Sequence, residues 1–379
     1  MYEIETINNE MKKQELRQLL EDNFKHLSQL SVKEYTLYRK YTDIKDKYPI
    51  IEDPFFGTNT SQYSKVSGIK DMIWIPNNVN DYLDLEPEMV FVDNDDDSFI
   101  WNTLRNMCSS AHWNQSPGRL LRYYIKDKIT GRFLGFISVA SDFISVGGRD
   151  KYIGWTTEDK LKGGRLRHTA MGSTIVPVQP FGFNYNGGKL IALLTASQPV
   201  QDKWFEKYND TLAGVTTTSL YGSGSMYDRL KYWRKCKATT GQISIEPSED
   251  VYLVVKDWYK ENYSEQYKSD ISGSHPKVKV LSSIYKLLDI KPPVNNAPRG
   301  VYWNELYDNT KDFLCRKTDE LGNKKYDASV EALTELWKER YAKKRVKNLT
   351  KQNRFSEQTL FYDDIIYNDW KYVTKRYLY

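Results

Sequence analysis

The sequence predicts an α+β fold, a strand-rich centre between helical ends. Three observations predict it. Near the start of the chain Leu16, Leu19, Leu20, Phe24, Leu27 and Leu30 fall three and four apart, one apolar stripe on a helix. Beyond Leu120 the pattern changes to β-branched and aromatic runs bounded by turn residues. Between Ser173 and Ser197 a strand, a glycine loop and an apolar helix follow one another. The 379 residues suffice for several structural units. They divide into a helical region with an acidic irregular stretch (1–107), a sheet core (108–250), and a helical region with a basic segment (251–379).

Each element has its own signal. Residues 8–48 read as helical, and Pro49, Pro54 and Gly57 end that unit. From 58 to 97 the pattern is irregular, with Met72-Ile73-Trp74-Ile75 the best strand. The run Asp93-Asn94-Asp95-Asp96-Asp97 invites a calcium loop. Ser98 stands where that loop needs glycine and Leu104 where it needs glutamate, so a helix cap or exposed turn fits better. Residues 121–125 and 133–139 flank Lys128-Ile129-Thr130-Gly131 as a hairpin. Tyr152-Ile153-Gly154-Trp155 follows, then a loop with Gly163-Gly164. Thr174-Ile175-Val176 ends a buried strand, residues 177–188 form a loop rich in proline and glycine, and Lys189 to Leu194 opens an apolar helix. Residues 211–221 read as a strand, 225–235 as a helix and 241–245 as a last strand. The chain is helical again from Val251, broken near Pro292-Pro293.

Net charge is only +5, unevenly spread. No Lys or Arg occurs from Asp71 to Leu104, where acids accumulate. No acid occurs from Lys160 to Gln201, where Lys160, Lys162, Arg165, Arg167 and Lys189 appear, nor from Arg340 to Ser356, which holds Lys343, Lys344, Arg345 and Lys347. Acid-free basic zones can neutralise nucleic-acid phosphates, or can be solvated helix faces. With Arg149, these cations are the candidate DNA contacts. The 29 tyrosines suit core edges and binding faces. Cys108, Cys236 and Cys315 are few and far apart, which argues for a reducing compartment and against a disulfide framework or zinc site. The acidic start Met1-Tyr2-Glu3-Ile4-Glu5 is unlike a leader, and no run approaches transmembrane length. A cytoplasmic location without membrane attachment is expected.

Chemistry has few candidates. Strand, glycine loop and helix N-terminus aim main-chain N–H groups at a point of positive dipole, which suits a phosphate or pyrophosphate. A second glycine turn, Tyr221-Gly222-Ser223-Gly224-Ser225-Met226-Tyr227, points to a cleft between the two loops. Tyr227 can donate a proton to a leaving group or simply pack into the sheet. Asp150 is a turn carboxylate or the partner of Arg149. His112 and His168 are candidate bases or hydrogen-bonded residues, and His275 precedes Pro276 in a loop. Ser219 and Ser225 have no evident His–Asp partners, so no hydrolase triad can be assembled.

Gly118-Arg119-Leu120-Leu121-Arg122-Tyr123, Arg149-Asp150-Lys151-Tyr152-Ile153-Gly154-Trp155, Gly224-Ser225-Met226-Tyr227, Trp233 and Thr239-Thr240-Gly241 together resemble the family of the Druantia anti-phage protein DruA. The resemblance covers roughly residues 108–246, with Arg299-Gly300-Val301-Tyr302 extending it. It implies a place in phage, mobile-element or defence loci, with DNA and defence-system or phage proteins as partners. The Gly-Ser-x-Tyr block is also similar, more distantly, to the Mom DNA-modification protein of bacteriophage Mu and so to GNAT acyltransferases. That likeness implies a central, mostly antiparallel GNAT-like sheet. It also implies an acyl-CoA-type cofactor held along Val176, Val178, Tyr185, Asn186, Gly187, Gly188 and Lys189. Tyr227 would then be the general acid, with Asp150 or His168 deprotonating the attacking base amine. The chain departs from the pattern at Asn186, where the first loop glycine would stand, and at Ser219, near the place of an aspartate. Two readings follow: a transferase modifying a DNA base, or a DNA-binding component of a defence or counter-defence system without catalysis.

Overall fold

The computed structural model describes residues 2–47, 68–111, 118–219, 224, 226–272 and 276–356. His112, His275 and most of the second glycine turn, including Ser225, lie outside them. The strands are β1 (Pro87–Phe91), β2 (Leu120–Asp127), β3 (Phe133–Ser141), β4 (Thr169–Pro177), β5 (Gly214–Thr218), β6 (Trp233–Lys235), β7 (Thr239–Ser244), β8 (Val294–Arg299) and β9 (Val301–Glu305). The first helices are α1 (Tyr2–Leu27), α2 (Val32–Lys47), α3 (Asp95–Cys108), α4 (Gly147–Ile153), α5 (Thr157–Lys160), α6 (Phe181–Tyr185), α7 (Gly187–Leu194) and α8 (Gln198–Tyr208). The later ones are α9 (Glu249–Asn262), α10 (Ser264–Ile271), α11 (Pro276–Leu287), α12 (Thr310–Leu314), α13 (Val330–Trp337) and α14 (Lys343–Lys351).

Seven strands form one sheet in the order β1-β2-β3-β4-β5-β9-β6, antiparallel except for the pair β4–β5. This is the α+β class the sequence predicts. The β2–β3 hairpin turns where Asp127 accepts from the Thr130 amide at 3.0 Å and its hydroxyl at 2.6 Å. Strand β3 is buried almost end to end because helices cover both faces. Trp101 of α3 meets Phe136 on one face. On the other, Gly135 lets Ile191 of α7 approach so closely that a Cβ there would lie 2.8 Å from it.

A second core joins the first helices to those between β7 and β8. Leu16, Leu20, Phe24 and Leu27 of α1 pack with Val251, Val255 and Trp258 of α9 and Ile284 of α11. Leu19, on the same sequence stripe, is exposed. The helical unit is therefore discontinuous in sequence, and the sheet runs from residue 87 to residue 305. It draws β1 from before residue 107 and β9 from beyond residue 250.

Several local expectations change. Residues 226–235 are not helical: left-handed backbone at Arg229 (φ 59°) and Tyr232 (φ 70°) turns the chain before β6. The run 152–155 is not a strand, for α4 ends at Ile153 and Gly154 (φ 87°) caps it. Strand β7 pairs with β8 in a separate ribbon. Of residues 72–75, only Ile73 makes a bridge, with Phe133. The acidic run is a helix start: Asn94 caps α3 by accepting from the Asp97 amide at 2.9 Å.

Candidate functional site

Met226 meets the first glycine loop, and side chains fill the meeting place. Asn186, in left-handed conformation (φ 54°), joins α6 to α7, and its amide donates to the Phe181 carbonyl. A Cβ at Gly187 would collide with the Phe181 ring, and one at Gly188 would lie 2.7 Å from Met226 Sδ. Trp337 Nε1 donates to the carbonyls of Tyr185 (3.1 Å) and Asn186 (3.2 Å). Val178, Tyr185, Gly187 and Gly188 are buried, Val176 half-buried, and Tyr185 Oη donates to Asn78 O at 3.2 Å. These residues, read from the sequence as a pyrophosphate cradle, serve here as packed core. Lys189 spans the two loops, its Nζ donating to Met226 O (3.2 Å) and Asp228 O (2.8 Å). Burial pulls its pKa down to about 8, against the pull of Asp228.

Tyr227 is buried, its ring 4.9 Å from that of Tyr302 and 6.3 Å from that of Trp233. Burial raises its hydroxyl well above the ordinary tyrosine range, so it keeps its proton. Nearby, Tyr302 Oη donates to Asp228 Oδ1 at 2.8 Å, and Lys235 Nζ donates to the same oxygen at 2.9 Å. The hydrogen bond from Lys235 holds the Asp228 carboxyl low.

Asp150 belongs to a different place, a buried ionic knot. Arg149, fully buried, lies 2.6 Å from Asp142 Oδ1 and 2.7 Å from Asp150 Oδ1, and donates to Phe143 O at 2.8 Å. Asp150 also accepts from Trp155 Nε1 (2.9 Å) and Lys160 Nζ (2.9 Å). Asp142 accepts from Thr216 Oγ1 at 2.8 Å. Burial works against the charge of Asp150, but Arg149, Lys160 and Trp155 together hold its carboxyl below the ordinary range. Burial pushes the Asp142 carboxyl up. The segment from Arg149 to Trp155 is thus stitched into the fold, and Asp142 is its unlooked-for member.

The sheet separates the three residues proposed for catalysis. Tyr302, against Tyr227, and Trp303, clustered with Ile153, Trp155 and Phe313, are neighbours on β9 and so point to opposite faces. Asp150 lies with Trp155, and the His168 ring packs 4.9 Å from Phe313. Tyr227 is therefore across the sheet from Asp150 and His168, and the three do not form one site. His168 Nδ1 pairs with Thr211 O at 2.8 Å, and burial lowers its pKa.

Most predicted phosphate contacts are also committed elsewhere. Arg149 and Lys160 are buried in the knot. Arg165 pairs with Asp319 at 2.6 Å, and Arg167 and Arg119 both pair with Asp210. Lys162 is exposed. On α14, Lys343 pairs with Glu339 at 3.0 Å and Arg345 donates to Phe183 O at 2.9 Å, while Lys344 and Lys347 are exposed.

A basic, aromatic cleft at the sheet edge is what sequence reasoning overlooks. Arg229-Leu230-Lys231-Tyr232-Trp233-Arg234-Lys235-Cys236-Lys237 carries its cations among aromatics, with no acid until Glu246. That interleaving is its sequence signal, hidden by the helical assignment. All five cations are exposed. Trp233 turns inward toward Tyr227, while Arg234 lies 4.9 Å over the Tyr152 ring on the other face of β6. Beside the strand is a cavity of about 410 Å³, bordered by Tyr152, Tyr232, Arg234, Lys235, Glu305 and Lys325. Tyr232 stacks on Tyr326 at 3.8 Å and 7°. Tyr341 accepts from the Lys231 amide (2.7 Å) and donates to Arg229 O (3.1 Å), which ties this run to the start of basic α14.

Among the described residues, no group of three or more His, Cys, Asp or Glu is placed to hold a metal, and no helix is long and apolar enough to cross a membrane. Residues 58–316 match the family model described as Druantia protein DruA. A curated relative, the Druantia protein DruA of Escherichia coli (strain UMEA 4076-1), is 25% identical over 219 residues, covering 52% of this chain and 53% of the relative. The chain thus spans about half the length of that relative. No solved structure matches it.

Proposed function

The chain belongs to the DruA family, and from that membership we propose that it serves anti-phage defence by engaging nucleic acid along the basic edge of its sheet. One observation carries the reading: five exposed cations between Arg229 and Lys237, free of intervening acids and joined through Tyr341 to exposed Lys344 and Lys347. Such a surface attracts phosphates through counterion release. Titrating labelled duplex DNA at several salt concentrations tests it. Affinity should fall steeply with salt, and replacing Lys231, Lys344 and Lys347 with alanine should flatten the log–log slope by up to about 3, near 0.9 per lost contact. Absent or salt-insensitive binding at low salt would refute the reading.

One observation favours a second reading, a GNAT-like transferase acting on a base amine. Strands β4 and β5 pair only from Thr169 to Met171 with Gly214 to Thr216, and the β3–β4 register slips where Ser173 bulges. Strands that part in this way are what such a transferase would use to seat its cofactor, and here Thr217 Oγ1 bridges them by donating to Gly172 O at 2.8 Å. An acyl-CoA-type cofactor would have to enter there, since Gly187 and Gly188 are covered. Tyr227, which retains its proton, would be the acid.

A further inference from the structure

We propose that the cleft beside β6 seats a single nucleotide, a planar base with its phosphate, so that the protein prefers an unpaired strand or a free nucleotide to a duplex. This rests on the nucleic-acid reading above and names the ligand unit. A platform exists: Tyr232 lies parallel to Tyr326 at 3.8 Å and borders the cavity, with Lys231 Nζ 5.6 Å from its ring centroid, so a base laid on the side away from Tyr326 would continue a stack already begun. The rim is cationic, with exposed Arg234, Lys235 and Lys325. The planar guanidinium of Arg234, already over Tyr152, offers a second surface for stacking. The wall is polar as well: the Glu305 carboxylate lines it beside Tyr152, whose hydroxyl it engages. Glu305, ion-paired with Lys325, supplies an acceptor that a phosphate would avoid and a base amine would seek. The cavity, about 410 Å³, is of a size for one small ligand. Bases paired within a duplex could not reach the Tyr232 face.

The test compares a labelled single strand, the same sequence as duplex, and dAMP, each at one salt concentration, by anisotropy and competition. The single strand should bind about tenfold tighter than the duplex, the order expected for one stacked base. Tyr232→Leu should bring that ratio close to one. Arg234→Lys, at an exposed position and with its charge kept, should lower it several-fold, which guards against a misfolded Tyr232→Leu. dAMP should displace the strand where inorganic phosphate at equal concentration does not. Displacement at concentrations below the strand's own would assign the cleft to free nucleotides, and at higher ones to strands. Equal binding of strand and duplex, unmoved by either variant, would overturn the inference while nucleic-acid binding stands. Failure of both strand and duplex to bind would remove the underlying reading as well.

Discussion

Replacing Arg149 with methionine separates a structural role from a phosphate contact. Its guanidinium is fully buried between Asp142 and Asp150 at 2.6 and 2.7 Å, and Asp142 is itself buried. Without it, Asp150 keeps Lys160 and Trp155, but Asp142 keeps neutral donors, the Thr216 and Thr169 hydroxyls and the Phe143 amide. Orphaning a buried charge in this way costs about 3–5 kcal/mol. That is a large share of the roughly 5–15 kcal/mol that holds a folded protein together. Urea unfolding of Arg149→Met, followed by far-UV circular dichroism, should show that loss. Adding Asp142→Asn should restore at least about 1 kcal/mol, because the orphan no longer carries charge. The deficit of the single variant should also shrink in acid. Burial already raises the Asp142 pKa, and losing Arg149 raises it further, so the penalty is full above that pKa and is relieved as pH falls through it. A variant of ordinary stability with weakened DNA affinity would refute the structural assignment and return Arg149 to the binding surface.

Tyr227→Phe divides the two functional readings. If the protein works by binding, the variant should keep its DNA affinity and phage resistance and lose only about 1 kcal/mol of stability for one buried hydroxyl; lost resistance at full affinity, or a modified nucleoside present only with the wild type, would favour catalysis. Lys189→Met should change how stability depends on pH. Folding lowers the Lys189 pKa to about 8, so the unfolded chain holds more protons from there up to 10.5. The cost of its charge is complete below pH 8 and fades above, so wild-type stability should gain on the variant between pH 8 and 10, as measured by urea midpoints. A constant difference across that range would show that Lys189 titrates normally.

Local pattern made much of this fold legible. The β2–β3 hairpin follows from apolar runs around Lys128-Ile129-Thr130-Gly131, and Leu16, Leu20, Phe24 and Leu27 mark a face of α1 that is indeed buried. Strand β9 escapes notice because it is only five residues long within a region of helical pattern. Strand β6 escapes because nothing local announces the left-handed turns at Arg229 and Tyr232. The candidate site was less legible than the fold. A basic residue looks available in sequence whenever its acid lies far along the chain: Arg167 meets Asp210, and Arg165 meets Asp319.

Composition and periodicity were enough to establish an α+β chain with a basic character, and short motifs were enough to establish its family. Those properties reside in neighbouring residues, whose spacing selects helix or strand before any distant contact forms. Availability was settled only by folding. Long-range packing placed Phe181 and Met226 over the glycines, buried Arg149 between two carboxylates, set Tyr227 and Asp150 on opposite faces, and left the cations of β6 in water. Burial and ion pairing depend on which residues meet across the sheet, and no local pattern carries that information.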